Sequence, residues 1–263
     1  MSGRGAIGVV AMLALAQPTP SAAQTQDLEE TIARVKTSIV AVGTFERTRT
    51  PAFQFMGTGF VVGDGTLVVT NAHVLPASID GNRREKLVAL MPEGRRRGGD
   101  GPGREFREAR VGARDAEHDL AVLRIEGPPL PALAIGDSAS VREGRSVYFT
   151  GFPIGSVLGA HAATHRAIVA SITPIAIPQR RSGELDQATI RRLTAGTFPV
   201  FQLDGTAYPG NSGSPVYEAG GAVIGVINMV LVKATKESLL SQPSGIAYAI
   251  PAVHLRTLLA TIR

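Results

Sequence analysis

No cysteine occurs in the 263 residues, which excludes disulfides and thiolate metal ligands together. Stability must then come from a packed core, and a chain of this length can supply one. Beyond the N-terminus no apolar run reaches membrane length, so no span is expected after residue 23. Aromatic interleaving is missing from the basic clusters Arg95-Arg96-Arg97, Arg104, Arg180-Arg181 and Arg191-Arg192. They lie in stretches punctuated by glycine and proline, and read as solvated loops with no nucleic-acid partner. The net charge is only +5. His161 and His165 are spaced i, i+4, but glycine and β-type residues around them argue for extended chain. Four strand steps set them roughly 13 Å apart, too far to share a metal, so no metal or other cofactor is expected. No internal repeat or low-complexity tract is visible.

What is present points to an all-β chain. Thirty glycines, 17 prolines and 44% hydrophobic residues suit many short strands joined by turns. The first 23 residues read as a signal peptide. Arg4 precedes the apolar run Ala6 to Ala16, and Ser21-Ala22-Ala23 offers small residues for cleavage. Export to a periplasm or to the medium follows. In the remaining 24–263, Leu28, Ile32 and Val35 form the stripe of a helix. Strands are expected at Ile39 to Val42, Phe60 to Val62, Leu67 to Thr70 and Leu87 to Met91, and again after Phe106. Gly63-Asp64-Gly65 marks a hairpin. A second set starts near Val147, turns at Gly151-Phe152-Pro153, and takes in Ala167 to Ile172, Val200 to Leu203 and Ala222 to Val232. Between them Thr173 to Thr197 forms a long connection, with a helix expected around Leu185 to Leu193. Leu255, Leu258, Leu259 and Ile262 trace a last helix.

The chemistry concentrates in Tyr208 to Val216, YPGNSGSPV. Gly210-Asn211-Ser212-Gly213 lets the backbone bend sharply, so that the Ser212 hydroxyl projects and local N–H groups converge. Convergent N–H groups from Gly210, Asn211 and Ser212 suit an oxyanion hole. A serine nucleophile needs a base, and the base needs an orienting acid. His73 in TNAHVL and Asp119 in HDLAVLRI supply both. Their order, His73, Asp119, Ser212, is that of the chymotrypsin barrels. His118 abuts Asp119 but should point to the opposite strand face.

Five ordered blocks carry a wider likeness: Gly57 to Leu75, Asp119 to Ile125, Ile135 to Gly155, Gln202 to Val216 and Gly245 to Pro251. Together they resemble the HtrA (DegP-like) group of trypsin-like serine peptidases. The resemblance implies a chymotrypsin-like double six-stranded β-barrel with short N- and C-terminal helices. Barrel one would cover about 39–135 and barrel two about 140–251. The chain stops at Arg263, so the resemblance implies a peptidase without the PDZ domain of most HtrA proteins. It also implies polypeptide substrates, protein quality control and a homotrimer. The absence of cysteine sets the chain apart from disulfide-stapled digestive relatives. Ser214 stands where the group usually has a second glycine. Asn211 stands where trypsin-like zymogens carry an acid, which argues against activation by a new N-terminus; the 173–197 connection is the expected regulator instead.

In this fold the floor of the primary pocket lies six residues before the nucleophile, at Thr206. Ile227 and Met229 would give apolar walls and Asn228 a polar flank. No charge is offered to lysine, arginine or glutamate, so cleavage is expected after small or medium aliphatic residues. A serine endopeptidase is the leading reading. A catalytically silent binding protein on the same fold, and an esterase using the same triad, remain open on the letters alone.

Overall fold

In most barrel strands both faces are apolar, and the architecture explains why. The computed structural model describes residues 22–91, 105–155, 161–175, 198–228 and 245–262. Residues 1–21, the clusters at 95–97, 180–181 and 191–192, Arg104, the helix expected over 185–193, and Met229 lie outside them. Twelve strands form two closed antiparallel barrels. Barrel one contains β1 (Ile39–Phe45), β2 (Phe53–Val62), β3 (Leu67–Asn71), β4 (Lys86–Leu90), β5 (Phe106–Asp115) and β6 (Leu120–Ile125). Barrel two contains β7 (Ser146–Gly151), β8 (Ala163–Ile175), β9 (Phe198–Leu203), β10 (Pro215–Tyr217), β11 (Val223–Ile227) and β12 (Ala247–Pro251). The neighbour order is 1-2-3-6-5-4 in the first and 7-8-9-12-11-10 in the second. One topology is therefore used twice, although no repeat is legible in the letters. The fold is the all-β double barrel that the sequence implies.

Alternate residues of most strands serve two different cores. Val40 and Val42 of β1, with Val61, Val68, Ala121 and Leu123, fill barrel one. Their neighbours Ile39 and Ala41 join Phe60, Val69, Leu120 and Val122 in a cluster shared with Tyr148, Tyr217, Val223 and Ile250 of barrel two. Phe149, Phe201, Leu203, Ile224 and Ile227 fill barrel two. The two-residue period of the strand thus sorts one face to a barrel interior and the other to the seam.

Two helices close this seam. Helix α1 (Ala22–Lys36) buries Val35 and Thr31 and packs Leu28 on the shared cluster. Ile32, expected in the buried stripe, is only half-buried, and Thr31 takes part of its place. Helix α2 (Ala252–Leu259) buries Leu255 and Leu258. The Ser138 hydroxyl accepts from the Val253 N–H at its start (2.9 Å), and Arg256 donates to the Ile135 carbonyl (3.0 Å). The connection expected from Thr173 begins later, because β8 runs on to Ile175. No helix among the described residues is long and apolar enough to cross a membrane.

Candidate active site

Antiparallel pairing brings the first two functional side chains together. Asn71 at the end of β3 faces Leu120 at the start of β6, so the residues just beyond them meet at one barrel edge. His73 lies in a 3-10 turn, Ala72–Val74, directly after β3. Asp119 directly precedes β6 in a left-handed conformation with φ 52, which aspartate tolerates better than most side chains. Its carbonyl accepts from the Ala72 N–H (3.0 Å) and the Asn71 side-chain amide (3.1 Å).

The Asp119 carboxylate is buried and needs donors in place of water. One oxygen accepts from the His73 backbone N–H at 2.8 Å. The other lies 2.5 Å from His73 Nδ1 and accepts from the Asn228 side-chain amide at 2.8 Å. On the far side of the ring, His73 Nε2 is 3.0 Å from Ser212 Oγ. The structure therefore places Asp119, His73 and Ser212 in one hydrogen-bonded line.

The Ser212 turn is anchored to both barrels. The Ser212 carbonyl accepts from the Thr58 N–H of β2 (2.9 Å), and the Gly213 N–H donates to the Ile227 carbonyl of β11 (3.0 Å). Gly213 has φ 86, and a Cβ there would sit 2.1 Å from the Thr58 carbonyl oxygen. Gly210 has φ 105, with the Phe152 carbonyl oxygen 2.3 Å from where a Cβ would be. Neither position accommodates a side chain without moving backbone.

Among the described residues the Gly210 and Ser212 N–H groups have no hydrogen-bond acceptor. The Pro209 carbonyl accepts from the Ile154 N–H at 2.7 Å. In a trans peptide the carbonyl and the following N–H point in opposite directions, so the Gly210 N–H is turned away from Ile154. Ile154 itself has φ 50, a strained value for a β-branched residue. Thr58 Oγ1 joins the two segments by donating to the Gly210 carbonyl (2.7 Å) and accepting from the Phe152 N–H (3.1 Å). Asn211, grouped with the oxyanion donors by the motif, has its N–H turned to the Tyr208 carbonyl (2.9 Å). Its side chain is buried, with both polar atoms unpartnered among the described residues.

The pocket residues divide. Thr206 is half-buried ahead of the Ser212 turn, and Ile227 is buried in the barrel-two core beside Ala207. Asn228, expected as a polar flank of the pocket, is fully buried and directed at Asp119 instead. Asn71 and Thr58 were not singled out by sequence reasoning. Their signal was position alone, one within TNAHVL and one between Gly57 and Gly59.

The remaining histidines stand apart from Ser212. His118 bonds Asp115 through Nδ1 at 2.7 Å. His165 stacks on Phe149, and burial holds its imidazole below its usual value. No cluster of three or more metal-ligating side chains occurs among the described residues.

Comparison with known proteins places this chain in a family. The trypsin-like peptidase domain matches residues 57–226. A probable periplasmic serine endoprotease, DegP-like, from Halomonas elongata is 29% identical over 74% of this chain and 32% of its own length. The mitochondrial serine protease HTRA2 of Bos taurus is 31% identical over 98% of this chain and 48% of its own. The chain thus spans about a third to about a half of the length of these relatives. Among solved structures, the HtrA-type protease AlgW with a decapeptide superposes with a TM-score of 0.60 at 20% identity, covering 89% of this chain and 66% of that one.

Proposed function

The chain belongs to the trypsin-like peptidase family, with HtrA-type relatives, and from that premise we propose that it is a serine endopeptidase acting through Ser212, His73 and Asp119. The observation that carries the reading is the hydrogen-bonded line from Asn228 through Asp119 and His73 to Ser212. Ser212 Oγ attacks a peptide carbonyl while His73 Nε2 takes its proton. Asp119 stays ionised, holds the tautomer with the proton on Nδ1, and stabilises the imidazolium. The developing oxyanion is received by the N–H groups of Gly210 and Ser212, which have no other acceptor among the described residues. His73 then returns the proton to the leaving amine, and water resolves the acyl-enzyme by the same path. The donors and the base come from this chain's own side chains and backbone.

Specificity follows from Thr206 and its apolar surroundings. Thr206 carries no charge, and Ile227 with Ala207 belongs to the barrel-two core nearby. A lysine, arginine or glutamate side chain would be buried there unpaired, at a cost of several kcal/mol. The preferred residue before the cut is therefore small or medium and aliphatic, in an extended or unfolded segment. We place the enzyme outside the cytoplasm, in a periplasm or secreted, as the leader-like N-terminus and the periplasmic relative suggest. A homotrimer and a quality-control role extend the same likeness.

A fluorophosphonate probe tests the reading directly. Wild type should label, and Ser212→Ala should not. Equal labelling of both, or none of either, overturns the peptidase assignment; none of either would favour a silent binding protein.

A further inference from the structure

A second Asp–His pair lies beside the catalytic carboxylate and takes no part in proton transfer. Asp115, the last residue of β5, closes the turn that leads to Asp119. One of its carboxylate oxygens accepts from the N–H groups of Glu117 and His118, each at 3.0 Å. The other lies 2.7 Å from His118 Nδ1. The His118 ring, one residue from Asp119, leaves barrel one and stacks on His254 of α2, with centroids 3.8 Å apart and planes 21° off parallel. Phe198 at the start of β9 meets both rings edge-on, at 4.6 and 5.1 Å.

We propose that His254 is a positioning residue for Asp119: stacked on His118, it pins the 115–119 turn against barrel two, and acid releases the pin when the His254 ring takes up a proton. The inference rests on the peptidase reading for its functional meaning.

The chemistry of the contact sets its direction. A neutral His254 ring stacks readily on the ring that Asp115 holds, but an imidazolium there is taken out of water against His118 and Phe198. Asp115 and Glu117 are the acids acting on His254, and His118 is the base facing it. Among the elements packed on α2, β5 carries Arg107, Glu108, Arg110, Arg114 and Asp115, β6 carries Arg124 and β12 carries Tyr248, while β11 and the 3-10 turn Ser138–Ser140 carry no ionisable side chain. Burial first, and then the charge of His118, hold His254 below the 6.5 of a free imidazole, with the two acids opposing. Asp115 also feels burial, which raises it, yet its hydrogen bonds from His118 and Glu117 win and hold it low. Below pH 6.5 the unfolded or undocked His254 binds a proton that the docked one refuses. Docking therefore weakens as pH falls through that value toward the lowered one. The 115–119 turn then loses its support on the side of barrel two, and Asp119 loses its fixed approach to His73.

The test uses the full chain and a fluorophosphonate as probe. Its labelling rate is followed from neutral to acid pH in wild type and His254→Phe, which keeps a ring in the stack but cannot titrate. Each profile is normalised to its own alkaline plateau. As pH falls below 6.5, wild type should lose labelling over a narrower pH range than the variant, because its docked form refuses one proton more. His254→Gln answers the same question if the phenylalanine variant does not fold. Normalised profiles that superimpose, or a steeper loss in the variant, overturn the proposal. If wild type does not label at all, the peptidase reading fails, and the coupling is judged by the low-field proton resonance of the His73–Asp119 hydrogen bond. Its survival to lower pH in His254→Phe than in wild type supports the coupling, and equal loss in both overturns it.

Discussion

Replacing Asn228 by alanine removes one donor from a buried carboxylate and separates two roles for this residue. Its amide donates to the same Asp119 oxygen that faces His73 Nδ1, and Asn228 itself is fully buried. A hydrogen bond to a charged group contributes about 1.5–3 kcal/mol. If the whole of that is felt when the imidazolium forms, kcat falls by roughly 10- to 150-fold, at 1.36 kcal/mol per decade. Whatever part is lost from the folded state instead lowers Tm, by at most roughly 12 °C for a chain of this size. KM should hardly move, because the amide faces the carboxylate rather than a substrate side chain. The assay is steady-state cleavage of an unfolded, fluorescein-labelled casein, with fluorophosphonate titration to count competent sites. Asn228→Ser, which keeps a shorter donor, should recover part of kcat. A variant with unchanged kcat, a raised KM and an altered residue preference before the cut would refute this account. It would return Asn228 to the pocket wall.

Three further outcomes follow from the same geometry. Asp119→Asn should keep the fold but favour the wrong His73 tautomer, costing about 10⁴-fold in kcat; turnover within tenfold of wild type would remove Asp119 from the mechanism. Gly210→Ala should lower kcat by about 10²- to 10³-fold, the usual loss of one oxyanion donor, since its Cβ would sit 2.3 Å from the Phe152 carbonyl oxygen. Circular dichroism checks that the fold survives, and a normal kcat in the folded variant would contradict the assignment. Cleavage of a denatured proteome should show valine, alanine or leucine before the cut, graded rather than absolute because one methylene is worth about 1–3 kcal/mol. A dominant arginine, lysine or glutamate there would contradict the pocket around Thr206.

Much of the site was legible because its parts are local. His73 follows a strand and Asp119 precedes one, and Ser212 sits between two glycines with positive or crowded backbone positions. Such turns are written in a few adjacent letters, since φ above zero and close backbone approach select glycine over short range. The double barrel was legible for a related reason: runs such as Ile39 to Val42 and Val223 to Ile227 are apolar on both faces, and five ordered blocks share one likeness.

What the letters could not settle is who meets whom across the chain. Thr58 reaches Gly210 over 152 positions, and Asn228 reaches Asp119 over 109. A period of two assigns a strand residue to a face but names no neighbour on that face. Asn228 therefore reads as a pocket flank until β11 is laid beside the seam and its amide meets Asp119. The inward turn of the Asn211 N–H and the orientation of the Gly210 peptide are likewise decided by partners remote in sequence, Ile154 among them. Sequence by itself determined most of the elements and turns and singled out His73, Asp119 and Ser212, because those depend on backbone sterics and nearest neighbours. Only barrel closure decided the hydrogen-bond partners, because a buried polar group is satisfied by whatever packing brings within about 3 Å of it.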